Sequence, residues 1–168
     1  PVQRPKTEPD IALHLPGQYL ILIEAKFTSG NPVYRRDKKK LLDLTLDQLL
    51  QIYQWPGMRY LDLNEARTRD AVHYQLWRNT VFAEWMAQHD EPGTGGHLVN
   101  LVRHDYVAEV CEPVLTLMHS AHRHRFEQIT WEDICGIAQA EGVTRLCGYL
   151  QNKTARFKPA FSLTRSPG

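Results

Sequence analysis

Net charge is what this chain lacks most. Twenty Lys and Arg stand against nineteen Asp and Glu, for a formal charge of +1. A protein held to a polyanion by bulk charge carries a larger excess, so any nucleic-acid contact has to come from local patches. Cysteine is scarce too. Cys111, Cys135 and Cys147 are odd in number and widely spaced, which argues against a disulfide framework or a zinc knuckle and makes a reducing, cytoplasmic compartment the expectation. No apolar run approaches the ~18 residues of a membrane span, and no signal-peptide pattern opens the chain, so no membrane partner is expected. There is no Gly-x-Ser-x-Gly elbow and no Walker-type glycine loop, which removes the usual serine-hydrolase and nucleoside-triphosphatase readings. Internal repeats and low-complexity tracts are missing as well.

What is present is ordinary in bulk and unusual in one place. A chain of 168 residues fits one domain with a sizeable core. The unusual stretch is Thr7-Glu8-Pro9-Asp10 followed, after a short hairpin, by Ile21-Leu22-Ile23-Glu24-Ala25-Lys26. An apolar strand ending in Glu-x-Lys places two charges where a sheet normally takes Val or Ile. Side chains two residues apart share a face, so Glu24 and Lys26 point the same way. Pro16-Gly17 is a strong turn signal between Asp10–Leu15 and Tyr19–Phe27. If Pro16, Gly17 and Gln18 form a three-residue loop, Leu15 pairs with Tyr19 and Asp10 falls opposite Glu24, on the same face and with Cβ atoms roughly 5 Å apart. Two carboxylates that close repel unless a cation lies between them, and Mg²⁺ takes one or two carboxylates plus phosphate oxygens and water. A two-residue loop would send the pair to opposite faces.

Glu8-Pro9-Asp10, a hairpin, and hydrophobic-Glu24-Ala25-Lys26 resemble the PD-(D/E)xK nuclease superfamily of restriction-endonuclease-like phosphodiesterases. The motif covers about twenty residues. The resemblance implies that Asp10, Glu24 and the backbone carbonyl of Ala25 bind Mg²⁺ or Mn²⁺, and that Lys26 orients or activates the attacking water. It implies a partner, DNA, and a place in restriction or anti-phage defence. Many members carry a Gln or Tyr on a later helix to orient the site, and Gln75 in His73-Tyr74-Gln75-Leu76-Trp77-Arg78 is the candidate, with Arg78 one turn on as a phosphate contact. The superfamily core usually opens with a helix and a strand before the Pro-Asp hairpin. Nine residues are too few for both, and the chain starts at Pro1, so the expectation is a fragment of a longer chain without that helix and strand. Glu8 shares parity with Asp10, though a solvated strand-entry residue is the plainer reading.

Arg35-Arg36-Asp37-Lys38-Lys39-Lys40 follows the proposed strand. A charge run is usually a solvated face. Its position makes a grip on DNA phosphates by Arg35, Arg36, Lys38, Lys39 and Lys40 an equal alternative. Apolar spacing predicts a helix over Leu41–Gln54, broken at Trp55-Pro56-Gly57, then one long helix from an Asp62 or Asn64 cap to about Gln88. Glu91–Gly96 reads as a loop and His97–Arg103 as a buried strand. A helix with Pro113 spans Tyr106–His119. Phe126–Ile129 is a strand, Thr130 caps a helix running to Glu141, and a last helix covers Val143 to about Thr154. The pattern predicts an α/β fold, a mixed β-sheet flanked by helices with a restriction-endonuclease-like core, in a single domain. His119, His122 and His124 have spacings that zinc sites use, but a structural site needs four ligands and no Cys pair is near, so a polar connector is the better reading.

The activity expected is therefore that of a metal-dependent endonuclease. The alternative from another class is a non-cleaving nucleic-acid-binding or assembly module that works with other segments of a larger protein or as a homodimer.

Overall fold

The computed structural model describes residues 9–27, 30–36, 44–89, 95–104 and 107–156. In chain order the elements are β1 (Ile11–Leu15), β2 (Tyr19–Ala25), β3 (Tyr34–Arg35), α1 (Leu46–Ile52), α2 (Leu63–Thr68), β4 (Ala71–Val72), α3 (Tyr74–His89), β5 (Gly95–Val102), α4 (Val107–Leu115), a 3-10 segment (Ser120–Arg125), β6 (Phe126–Thr130), α5 (Trp131–Ala140) and α6 (Thr144–Arg156). Four strands make one mixed sheet in the order β1-β2-β5-β6, and β3 with β4 makes a small antiparallel pair. This is the α/β architecture with a mixed, helix-flanked sheet that the sequence pattern predicts.

The β1–β2 hairpin closes with three residues. Gly17 adopts φ +69, which favours glycine, the Gln18 N–H donates to the Leu15 carbonyl at 3.0 Å, and Leu15 pairs with Tyr19. The register continues to Ile11 opposite Ile23, so one step further Asp10 stands opposite Glu24 and Pro9 opposite Ala25. β2 then runs parallel to β5, with Glu24 beside Asn100 and Ala25 beside Leu101. β5 runs parallel to β6, with Asn100 beside Gln128. Period two puts Leu20, Leu22 and Glu24 on one face, and all three are buried.

Helix α3 packs on β2 and β5. Its buried residues include Leu76, Asn79, Thr80, Ala83, Glu84 and Ala87. Side chains cap helix starts: Thr45 with Gln48 and Thr130 with Asp133 form capping boxes, and the Asp62 side chain accepts the Glu65 N–H. The helix over Leu41–Gln54 is shorter than expected, beginning at Leu46 behind its Thr45 cap; residues 41–43 lie outside the described set.

One element differs in kind. The single helix expected from Asp62 to Gln88 is two helices separated by β4. The break is made from a distance. Arg36 donates to the carbonyls of Arg67 and Arg69, the latter at 3.2 Å. The Arg36 N–H reaches the Asp70 carbonyl at 2.7 Å. The last carbonyls of α2 thus find donors on another segment, and the chain pairs with β3 instead of continuing as helix.

Gly96 lets β5 approach α3. A Cβ there would stand 2.1 Å from the Ala83 carbonyl oxygen and 2.4 Å from its carbon, and helix backbone cannot yield as a side chain can. Gly96→Ala should therefore destabilise the fold by about 2–3 kcal/mol or more, read as a lower urea midpoint at unchanged m-value. Wild-type stability in that variant would show that the helix–strand spacing is not set there.

Candidate active site

Glu24 sits at the carboxyl end of β2 with 1% of its surface exposed. Leaving a carboxylate unpaired there would cost several kcal/mol. Three side chains prevent that. Gln75 Nε2 and Lys26 Nζ both meet Oε1, and Asn79 Nδ2 donates to Oε2 at 2.7 Å. Gln75 and Asn79 are four residues apart on α3, the spacing that puts two side chains on one helix face. A carboxylate has about four lone-pair sites, so the three donors leave Oε2 able to take one more partner.

Asp10 lies at the mouth of the same hairpin and is exposed. Its Oδ2 accepts the Ala25 N–H at 2.8 Å. Pro9 stands opposite Ala25 and has no N–H, so the ladder offers the Ala25 carbonyl oxygen no donor. Pro-Asp at this position thus frees one backbone oxygen and turns a carboxylate toward the same edge. Among the described residues Asp10 Oδ1 has no partner. These are hard oxygen donors of the kind Mg²⁺ and Mn²⁺ take. Among the described residues no group of three or more His, Cys, Asp and Glu gathers as a metal cluster.

Lys26 is held by its backbone as well. Its N–H donates to the Leu101 carbonyl at 2.8 Å, and its carbonyl accepts Trp131 Nε1–H at 3.0 Å. The ammonium is 19% exposed, bridging buried Glu24 and solvent. Beside Glu24 a chain of amides crosses the sheet. Asn31 Nδ2 donates to Asn100 Oδ1 at 2.7 Å, and Asn100 Nδ2 donates to Gln128 Oε1 at 2.9 Å.

The structure therefore brings Asp10, Glu24, Ala25, Lys26 and Gln75 together. Sequence reasoning missed Asn79, Asn100, Gln128 and Asn31. Asn79 had a signal in its four-residue spacing from Gln75, and Asn100 in interrupting an apolar run. Arg78 is 9% exposed and lies over the Tyr74 ring at 5.8 Å; its Nε has no hydrogen-bond partner among the described residues. Arg35 is exposed on β3. Arg36 is engaged by Asp47 at 2.9 Å besides its two carbonyls. Lys38, Lys39, Lys40 and Glu8 lie outside the described residues.

A mixed sheet flanked by helices, with buried Glu24 and Lys26 at the end of a hairpin strand, defines a restriction-endonuclease-like protein. The model of the family described as restriction endonuclease associating with ARP matches residues 2–154, and the chain belongs to that family. No curated protein and no solved structure matches the chain. Among the described residues no helix is long and apolar enough to cross a membrane.

Removing Asn79 should reveal what Glu24 requires. Asn79→Ala strips Oε2 of its donor and should cost about 1–3 kcal/mol. Asn79→Asp should cost more at neutral pH, because it sets a second carboxylate against the first, and the gap should close as acid protonates the pair. Denaturant titrations across pH measure both. Equal, pH-independent losses would show that Asn79 does not act on the Glu24 charge.

Proposed function

We propose that this chain is a metal-dependent endonuclease of the PD-(D/E)xK type that hydrolyses phosphodiester bonds in DNA. The observation that carries the reading is the buried Glu24 carboxylate. It is held by Gln75, Asn79 and Lys26 and lies opposite Asp10, one register step beyond the Ile11–Ile23 pair. A purely structural hairpin would place apolar residues there. Asp10, Glu24 and the Ala25 carbonyl would hold Mg²⁺ or Mn²⁺. Bound there, the cation supplies Lewis-acid polarisation of a phosphoryl oxygen and a lower pKa for its water.

The chain's own residues do the rest. Lys26, pinned through its carbonyl and its N–H, presents its ammonium beside Glu24, where it positions the attacking water and offsets charge on the phosphorane-like transition state. The water oxygen bonds to phosphorus in line as the opposite P–O ester bond breaks, and the departing oxygen takes up a proton. Gln75 and Asn79 keep the Glu24 carboxylate from turning. Arg78, one turn along α3, and the Arg35–Lys40 run would meet backbone phosphates.

The family's description gives association with ARP, and we extend that association to this chain. It bears on a second reading, a non-cleaving assembly module. The observation favouring it is the outer hairpin strand. β1 is a sheet edge, and Ile11, Leu13 and Leu15 are 41, 47 and 45% exposed, an apolar row at an open edge.

The two readings part on Lys26. Its loss should depress cleavage of a plasmid by about 10²-fold or more, with DNA affinity changed little, because the group acts where charge develops. Wild-type turnover in Lys26→Ala would make the assembly reading the better one. Asp10→Asn should weaken Mn²⁺ binding by calorimetry by at least about tenfold, since losing a ligand costs no less than losing an outer-shell partner. Unchanged Mn²⁺ affinity would remove Asp10 from the ligand set.

A further inference from the structure

The opposite end of the sheet carries a separate set of charged groups. The 3-10 segment before β6 ends in His122-Arg123-His124-Arg125. Arg125 lays its guanidinium on the Tyr60 ring, 5.2 Å from the centroid, and Nη1 meets Nε2 of His97 at 3.4 Å. His122 stacks on the same Tyr60 ring at 4.8 Å, and His124 meets His97 at 6.3 Å, edge to face. β5 begins with glycine to admit this arrangement, because a Cβ on Gly95 would lie 1.8 Å from Arg125 Nη1.

Among the described residues no carboxylate pairs with Arg125, whose Nε has no hydrogen-bond partner, and His122 Nδ1 has none either. The other groups facing it are mostly cationic or neutral. His119 and Arg59 add to the field at His122, and Tyr19 packs edge-on against His97 at 5.1 Å. Two acids are near. Glu127 of β6 lines the cleft beside His97. Glu84 of α3 lies behind Arg59, with its oxygens already accepting the N–H groups of Arg59 and Tyr60. Burial and the Arg125 charge hold His97 and His122 below the ordinary histidine pKa.

We propose that Arg125, His97, His122 and His124 form a second anion site, taking a phosphate group, with binding coupled to proton uptake. The guanidinium fork suits a phosphate oxygen pair. In the unliganded arrangement Nε2 of His97 accepts from Arg125, which requires a neutral ring. A phosphate seated between them accepts from both, so His97 gains a proton and becomes a donor. For an anion whose own charge is constant, such as a phosphodiester or sulfate, binding therefore tightens as pH falls from 8 to 6, by up to about tenfold per pH unit for each proton taken up. The phosphate is free phosphate or part of a DNA backbone. The second source rests on the nuclease reading.

The test follows imidazole ring resonances of the full chain by NMR, in metal-free buffer with EDTA so that DNA stays intact. Inorganic phosphate should shift His97, His122 and His124 saturably, and sulfate, whose charge is the same at pH 6 and pH 8, should bind at least about tenfold tighter at pH 6. Arg125→Gln should abolish the shifts. His124→Gln, at an exposed position that the fold tolerates, should weaken them. A short duplex moving the same resonances more tightly than phosphate assigns the site to the backbone; phosphate shifts alone assign it to the free ion. Absence of saturable shifts at both pH values, or shifts unchanged in both variants, overturns the proposal. The readout does not involve cleavage, so an inactive Lys26 site would leave it intact.

Discussion

The burial of one carboxylate organises this half of the molecule. Glu24 is almost wholly removed from water, and the cost of that is met by donors from two elements, Gln75 and Asn79 of α3 and Lys26 beyond β2. Those bonds fix more than a charge. They set the rotation of α3, because the helix face presenting Gln75 and Asn79 must look at the end of β2, with Leu76 and Ala83 buried on the same helix. They also set the strand register. A one-residue slip of β2 would turn Ile23 toward the amides and Glu24 to the other face, leaving Gln75 and Asn79 without their acceptor.

From Glu24 a polar row runs across the sheet. Asp10, Glu24, Asn100 and Gln128 occupy successive register positions on β1, β2, β5 and β6 or immediately beyond them. Above this row Leu20, Leu22 and Leu98 are core. Asn31 bonds to Asn100 and so ties the segment after Lys26 back onto the sheet. Asn100 bonds to an amide on each side, accepting from Asn31 and donating to Gln128, and such paired amides favour a single arrangement of a polar row inside a fold. The row lies at the carboxyl ends of the parallel strands, where α/β sheets open toward ligands.

Much of this was legible in the chain, and the limits were physical. The hairpin could be read because a turn residue with positive φ and a period of two determine every pairing from Leu15 to Asp10. The Asp62 and Thr130 caps could be read because each acts within four residues of itself, whereas apolar spacing draws the first helix from Leu41 and passes over its Thr45 cap. The break between α2 and α3 could not. Nothing between Asn64 and Gln88 is a Pro or Gly, and the group that ends α2 is Arg36, some thirty residues upstream. Asn79 and Asn100 were hidden for a related reason: a buried amide is meaningful only once its partner is known, and the partners come from other elements.

The two fully buried glutamates show how the same side chain serves different ends. Glu84 accepts the backbone N–H groups of Arg59 and Tyr60 at 2.6 and 2.9 Å, and Gln88 at 2.8 Å. Backbone donors fixed in a loop cannot turn away, so Glu84 is a permanent tie between that loop and α3. Burial still raises its carboxyl pKa despite those bonds, so its contribution is largest in acid and declines as pH rises through the folded value. Among the described residues Glu24 is held by side chains, two amides and an ammonium, each able to rotate. A carboxylate surrounded by movable donors can exchange one of them for a ligand at the cost of a rotamer, whereas Glu84 would have to break the loop. That difference in donor type, more than burial, separates a structural acid from one poised to bind.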